Sequence, residues 1–159
     1  MTNNTDLIRA SSLARELDED QKSVLASLFE SRDLSNGEVL IREGEISSTL
    51  YVIASGALEV TRDTGNGEWI TLHLLRPGDI SGELGFVDSM EHSATLRAVG
   101  SSQVLCLSRE RFDALIDTHP KIVCMVMRAM VREVHAILRR MNVQYVEMTN
   151  YIGKQHGRY

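Results

Sequence analysis

The sequence predicts a mainly β fold with flanking helices, and three features of its 159 residues support that prediction. An amphipathic stretch without Gly or Pro comes first. Short apolar runs separated by Gly-rich turns follow, and a second long stretch without Gly or Pro lies near the C-terminus. Several short strands with turns at this spacing are typical of an antiparallel barrel or sandwich. The length suits one domain with a hydrophobic core.

Composition and charge narrow the class of protein. An apolar content of 43%, a charged content of 25% and a net charge of −5 are ordinary for a globular protein, and the acidic balance disfavours nucleic-acid binding. No run approaches a membrane span, and the N-terminus lacks a secretory signal pattern, so we expect a cytoplasmic protein without membrane contact. Cys106 and Cys124 lie in apolar runs, so both are expected to be reduced and buried.

The chain divides into successive segments. Residues 1–33 are expected to form one or two short helices, with Asp18 as an N-cap and Gln21 three residues later. Residues 34–108 carry the strands, and "TGNG" between two alternating runs predicts a hairpin. The regular pattern of short strands and turns is interrupted only at 81–91, and a loop that interrupts regular strands is a favoured place for function.

The C-terminal part, residues 109–151, is expected to be helical, with Ser108 as an N-cap and residues 152–159 as a tail. Its apolar residues recur at heptad spacing over about thirty residues, which predicts a parallel two-chain coiled coil. Packing on the chain's own barrel is the alternative, and we expect it for the first two turns, with the dimer seam beyond Met130. The predicted dimer interface comprises Val123, Met127, Met130, Val134, Ile137, Met141, Gln144 and Met148.

The interruption itself reads "SGELGFVDSMEHSAT" over residues 81–95. Gly82 and Gly85 permit close approach of the backbone, and N–H groups at the start of a helix suit an anion. Both glycines are equally compatible with a purely structural turn. Glu83 would repel a phosphate, and a first-turn acid stabilised by the helix dipole is its structural interpretation.

Two longer segments, "LSNGEVLIREGEISSTLYVIASGALEV" and "LRPGDISGELGFVDSMEHSATLRAV", resemble the cyclic nucleotide-binding domain, in particular the sensor half of the catabolite-activator type of bacterial regulators. The resemblance implies a β-roll or jelly-roll barrel that binds cAMP or cGMP in a phosphate-binding cassette at 81–95. It further implies a long C-terminal helix that closes over the base. Glu83 would accept a hydrogen bond from the ribose 2′-hydroxyl. The ligand-binding residues carried over from the family pattern are Gly82, Glu83, Leu84, Gly85, His92, Ser93 and Ala94.

His92 departs from the family pattern, which has an arginine at this position. Arginine offers five donors and a permanent charge, whereas histidine offers two donors at most and titrates near neutrality. The change weakens a phosphate contact by about 1.5–3 kcal/mol. Arg97 is not expected to substitute, because strand alternation places it on the face opposite Leu96 and Ala98.

Three interpretations of His92 follow from this departure. The imidazole contacts the phosphate directly, or the pocket has adapted to another anion or effector. In the third interpretation the pocket is vacant and the domain serves as a dimeric docking module.

The histidine pattern and the C-terminal segment bear on the remaining alternatives. His73 and His92 lie in different strands with no His-x-His pair, so we expect no enzyme, no metal and no cofactor; His73 as a haem ligand is a weaker alternative.

After Tyr151 only "IGKQHGRY" follows, which cannot supply a recognition helix. A complete chain is therefore not expected to bind DNA directly, whereas a fragment would leave that open. The sequence predicts a homodimeric sensor or adaptor that binds a cyclic nucleotide and signals to an unidentified protein partner, and a docking module that binds no nucleotide is the alternative.

Overall fold

The computed structural model describes residues 3–156, with side chains to Lys154. Helix α1 (Asn4–Ala10), a 3-10 turn (Ser12–Ala14) and helix α2 (Glu19–Ala26) come first. The predicted N-cap of α2 is confirmed as a capping box. The Asp18 carboxylate accepts from the Gln21 backbone N–H at 2.8 Å, and the Gln21 side chain accepts from the Asp18 N–H at 3.0 Å.

In the described part of the chain, six strands form one antiparallel sheet, which confirms the mainly β prediction. The order along the sheet is β1, β6, β3, β4, while β2 pairs with β6 and β5 pairs with β3. Register shifts along the long β3–β6 pair bend the sheet into a roll. The first strand begins at Glu30, ahead of the predicted boundary at Leu34. The strands are β1 (Glu30–Leu34), β2 (Val39–Ile41), β3 (Thr49–Asp63), β4 (Trp69–Leu75), β5 (Ile80–Ser81) and β6 (Thr95–Ser108).

The "TGNG" turn joins β3 to β4 as predicted. Thr64 donates its backbone N–H to the carbonyl of Glu68 at 2.9 Å, and the Asp63 carboxylate accepts from the Gly65 N–H at 2.6 Å. These bonds close the hairpin between residues that lie near each other along the chain.

The two faces of β3 contact two different cores. Leu50 and Val52 pack against the helices, whereas Tyr51 and Ile53 point into the roll, because successive side chains of a strand alternate. The core cluster that contains Leu50 and Val52, which we call the helical cluster, also includes residues from both ends of the chain. The N-terminal and C-terminal helices therefore share one side of the sheet.

Helix α3 (Glu83–Asp88) lies between β5 and β6. Within the described residues, three helices follow the last strand: α4 (Arg109–Asp113), α5 (Leu115–Thr118) and α6 (Pro120–His156). The predicted N-cap Ser108 accepts from the Arg111 N–H at 3.3 Å. Helix α6 has 37 residues and a length of about 55 Å. It continues past the predicted end at 151, and from position 138 to position 154 every described side chain is exposed. The second half of α6 therefore projects beyond the core.

Part of the predicted dimer interface instead packs on the chain's own core. Met130 is 2% exposed within the helical cluster, and Val123 and Met127 pack against the same cluster. A side chain as buried as Met130 is not available to a second chain, so its assignment to the dimer interface is wrong. The apolar residues of α6 occupy two adjacent helix faces, and the sequence pattern merged them.

A separate exposed stripe runs along α6. Its members are more than half exposed except for Val134, which is partly buried, and they recur at alternating steps of three and four residues. This is the spacing of a coiled-coil seam. We call this stripe the α6 seam; it consists of Val131, Val134, Leu138, Met141, Tyr145 and Met148.

The cysteine prediction is only partly right. Cys106 is a free thiol and partly buried, and burial raises its pKa. Cys124 is also a free thiol but is exposed, because it lies on α6 away from the buried Ile122 and Val126. Within residues 3–156, no helix is long and apolar enough to cross a membrane.

Candidate ligand-binding site

The cassette begins where β5 turns sharply into α3. Gly82 stands at this turn with φ +82°, in the left-handed region that favours glycine. A Cβ atom there would lie 2.6 Å from the carbonyl oxygen of Thr49. Both the backbone conformation and the close approach of β3 therefore require glycine at this position.

Gly85 is required for a different reason. A Cβ atom at Gly85 would lie 2.5 Å from the Ser47 carbonyl oxygen and 2.8 Å from Cε1 of His92. The His92 ring thus packs on the α-carbon of Gly85, which brings together two residues from opposite ends of the predicted cassette. The His92 backbone is fixed as well, since its N–H donates to the Glu45 carbonyl at 2.9 Å and its carbonyl accepts from the Gly44 N–H at 2.8 Å.

Glu83, at the first position of α3, has an unused acceptor. Its Oε2 atom is buried and has no hydrogen-bond partner among the residues that the structure describes. Burial raises the pKa of Glu83, the N–H of its own backbone opposes that shift, and the negative charge of Glu133 on α6 adds to it. A buried carboxyl oxygen without a donor is costly unless a ligand supplies one.

His92 likewise has a buried ring nitrogen to offer. Its Nε2 has no partner within the described part of the chain. Burial lowers the pKa of His92, and the charge of Glu45 partly opposes the shift. The imidazole is therefore mainly neutral near pH 7, unlike the fixed cation of the family pattern.

Arg97 does not compensate for the missing arginine. Its guanidinium carbon lies 4.7 Å from the centroid of the Trp69 ring, and its Nη1 donates to the Gly37 carbonyl at 3.2 Å. Leu96 and Ala98, its neighbours in β6, are buried in the roll. The expectation that Arg97 points away from the pocket is confirmed.

The other predicted ligand residues differ in exposure. Leu84 is 57% exposed and Ser93 is exposed, whereas Ala94 is partly buried. Their contacts to a ligand stay a prediction. Across residues 3–156, no three His, Cys, Asp or Glu side chains cluster as a metal site would require.

Helix α6 brings charged residues to the roll that the sequence did not single out. Burial is the largest cause of the raised pKa of Glu83, and the charge of Glu133 on α6 raises it further. Burial lowers the pKa of His73 on β4, and Arg140 of α6 lowers it further. Glu133 and Arg140 lie on the same helix face as the buried Val126 and Met130, at steps of three, four and seven residues. This spacing could have identified them from the sequence.

The class of protein follows from this geometry: an antiparallel β-roll whose strands are interrupted by a Gly-Glu turn and a short helix, with buried polar atoms of Glu83 and His92 that have no partner among the described residues. The sequence profile of the cyclic nucleotide-binding domain matches residues 31–119. The chain belongs to the cyclic nucleotide-binding domain family.

Individual relatives agree with this assignment. The chain is 32% identical over 115 residues to the Cyclic AMP receptor protein of Thermus thermophilus, covering 72% of this chain and 53% of that protein. It is 31% identical over 107 residues to the cAMP-dependent protein kinase regulatory subunit of Dictyostelium discoideum, covering 65% and 33%. The chain thus spans between a third and about half of these relatives. A solved cyclic nucleotide-binding domain from Methylobacillus flagellatus has the same fold, with a TM-score of 0.81 at 21% identity, covering 92% and 82%.

Proposed function

We propose that this chain binds a cyclic nucleotide, cAMP or cGMP, in its cassette and signals as a homodimer to a protein partner. The observation that carries the proposal is the buried Oε2 of Glu83, an acceptor that no donor of the described residues satisfies, directly after the Gly82 turn of the cassette. A ribose hydroxyl supplies the missing donor. Two of the relatives, by their names, respond to cAMP, which supports the ligand class. In this proposal the chain is a binding protein rather than an enzyme, and it needs no metal or cofactor.

In the proposed complex the cyclic phosphate faces His92 and the ribose faces Glu83. His92 is mainly neutral before binding because burial lowers its pKa. A phosphate anion beside the ring favours the protonated form. Binding is therefore expected to take up a proton, which replaces in part the charge that an arginine would supply.

The α6 seam supports the homodimer. Val131, Leu138 and Tyr145 are 65%, 53% and 67% exposed, at intervals of one heptad. In a parallel coiled coil the same positions of two identical helices face each other, so the seam is complementary to its own copy. Glu133 and Ile137, on the adjacent face, are partly buried, and the charge of Glu133 acts on Glu83, so one helix can influence the cassette and contact a partner together.

The proposed function is tested by native mass spectrometry of the purified chain, followed by calorimetric titration with cAMP and with cGMP. We expect a dimeric mass and saturable binding of a cyclic nucleotide, with 5′-AMP as the control that lacks the cyclic phosphate. A folded dimer that binds neither nucleotide overturns the proposal. It would favour the docking module, a candidate that the carboxylates of Glu45 and Glu133 near the two polar atoms also support, since they disfavour an anion.

A Glu83→Gln substitution is expected to stabilise the free protein and weaken nucleotide binding. Because the folded-state pKa of Glu83 is raised, its ionisation costs stability as the pH rises above the unfolded value of about 4.3. The variant should gain up to about 1 kcal/mol near pH 7 and nothing near pH 4. Its affinity should fall about tenfold, because a neutral acceptor replaces a charged one.

Urea unfolding and calorimetry measure the two effects of Glu83→Gln. Glu91→Gln is the matched control, since Glu91 is an exposed acid of the same cassette. Lower stability together with unchanged affinity would assign Glu83 a purely structural role.

A further inference from the structure

Arg109 joins the cassette to the C-terminal helices. Its Nη1 donates to the carbonyl oxygens of Phe86 and Val87, at 2.8 Å each. Its Nε donates to the Asp113 carboxylate at 2.8 Å, and its side chain is 40% exposed. One guanidinium therefore holds the last turn of α3 and the first turn of α4.

The carbonyls that Arg109 binds are those that α3 itself leaves without partners. Helix α3 ends at Asp88, and Ser89 follows with φ +54° in the left-handed region. The last carbonyls of any helix lack intrahelical donors, and a cation is favoured at that end. With six residues α3 is too short to be stable alone, and this contact is one of the tertiary contacts that hold it.

Two further contacts connect the same elements. The rings of Phe86 and Phe112 lie 5.3 Å apart between centroids, at 58° to each other, and both side chains are buried. The Arg109 backbone N–H donates to the Ser48 carbonyl at 3.0 Å. The adjoining residue, Ser47, presents the carbonyl that Gly85 approaches. The end of α3, the start of β3 and the start of α4 therefore meet at Arg109.

The path continues from α4 into α6 through buried side chains. Phe112, Leu115 and Ile122 belong to one core cluster, with exposed fractions of 2%, 5% and 1%. A displacement of α3 that left Arg109 behind would remove the donors of two carbonyls and separate a charged pair. Moving α4 with α3 keeps those bonds.

We infer that Arg109 is the positioning residue that couples the cassette to the base of α6. It acts on the ligand only through α3. Because it joins two short helices by directed bonds, it transmits a shift of α3 to the segment that leads into α6. The inference rests on the proposed function and names the residue that carries its signal.

The first test needs no ligand. Hydrogen exchange of the α3 amides, including the Ser89 N–H that donates to the Gly85 carbonyl, is compared among the wild type, Arg109→Ala and Arg111→Ala. We expect about tenfold faster exchange in α3 for Arg109→Ala. Arg111→Ala is the matched control, because Arg111 bonds to Leu28 and Glu30 instead. Unchanged exchange of α3 in Arg109→Ala overturns the inference.

Arg109→Lys serves if the alanine variant does not fold. It keeps the charge but lacks the planar set of donors, so we expect faster α3 exchange than in the wild type. Exchange equal to the wild type would show that charge alone suffices and would overturn the assignment to the directed bonds.

The second test adds cAMP or cGMP. In the wild type, binding is expected to change exchange in α3 and in residues 109–125. In Arg109→Ala the affinity should stay within about threefold while the change at 109–125 is lost. Transmission to 109–125 that survives, or affinity that is lost with it, overturns the inference. If the wild type binds neither nucleotide, the proposed function fails, while the ligand-free test still decides whether Arg109 links the helices.

Discussion

A Leu138→Arg substitution is expected to convert the proposed dimer into monomers. Leu138 lies in the middle of the α6 seam, on the part of the helix that extends past the core. Burial of a leucine side chain is worth about 2 kcal/mol, and the substitution removes two of them from a symmetric interface. The loss of about 4 kcal/mol corresponds to a roughly thousandfold higher dissociation constant, before the cost of placing two arginines opposite each other.

Sedimentation equilibrium over a concentration series measures that constant. Ala136→Arg adds the same charge at an exposed position on the opposite side of α6, and it should leave the dimer intact. Gln144→Arg separates the α6 seam from the predicted interface, because Gln144 belongs only to the predicted interface. This substitution should weaken the dimer only if the predicted interface forms. A Leu138→Arg protein that remains dimeric would show that the chains associate elsewhere.

Features that depend on neighbouring residues were predictable from the sequence. The capping box of Asp18 and Gln21, the Ser108 cap and the "TGNG" hairpin each rest on bonds between residues close along the chain. The direction of Arg97 was predictable too, because strand alternation depends only on sequence position. Such features require no knowledge of the partner element.

The register of the α6 seam was harder to predict. Met130 and Val131 are adjacent apolar residues, yet Met130 is 2% exposed and Val131 is 65% exposed. Periodicity finds both faces, but only the three-dimensional packing shows which face the sheet and the N-terminal helices cover. The predicted interface therefore shares Val134, Met141 and Met148 with the α6 seam, whereas Val123, Met127 and Met130 lie on the covered face.

The cassette shows the same division. Its glycines and Glu83 stand out in the sequence, but the contact of the His92 ring with Gly85 joins residues on separate elements. The proximity of Glu133 and the bonds of Arg109 to α3 also link distant positions, separated by tens of residues. Residue types predicted which chemistry to expect, and tertiary packing determined which groups remain free to perform it.

A His92→Arg substitution is expected to tighten cyclic nucleotide binding and to remove the loss of affinity with rising pH. In the wild type the pKa of His92 is lowered by burial, and a bound phosphate would raise it. Affinity should therefore be highest at acidic pH and fall as the pH rises from below the free-state pKa to above the bound-state pKa. Arginine is charged throughout, so the affinity of the variant should not fall as the pH rises, and it should exceed that of the wild type by about ten- to a hundredfold near pH 7.

Calorimetry at about pH 6 and about pH 8 measures this difference, and buffers of different ionisation enthalpy count the proton taken up by the wild type. His135→Arg is the matched control: it makes the same exchange at an exposed position of α6 and should leave the pH dependence in place. Equal wild-type affinities at the two pH values would exclude a protonated His92 in the complex. No gain in affinity for His92→Arg would mean that the phosphate lies elsewhere, because a permanent cation at this position strengthens binding only when the anion faces it.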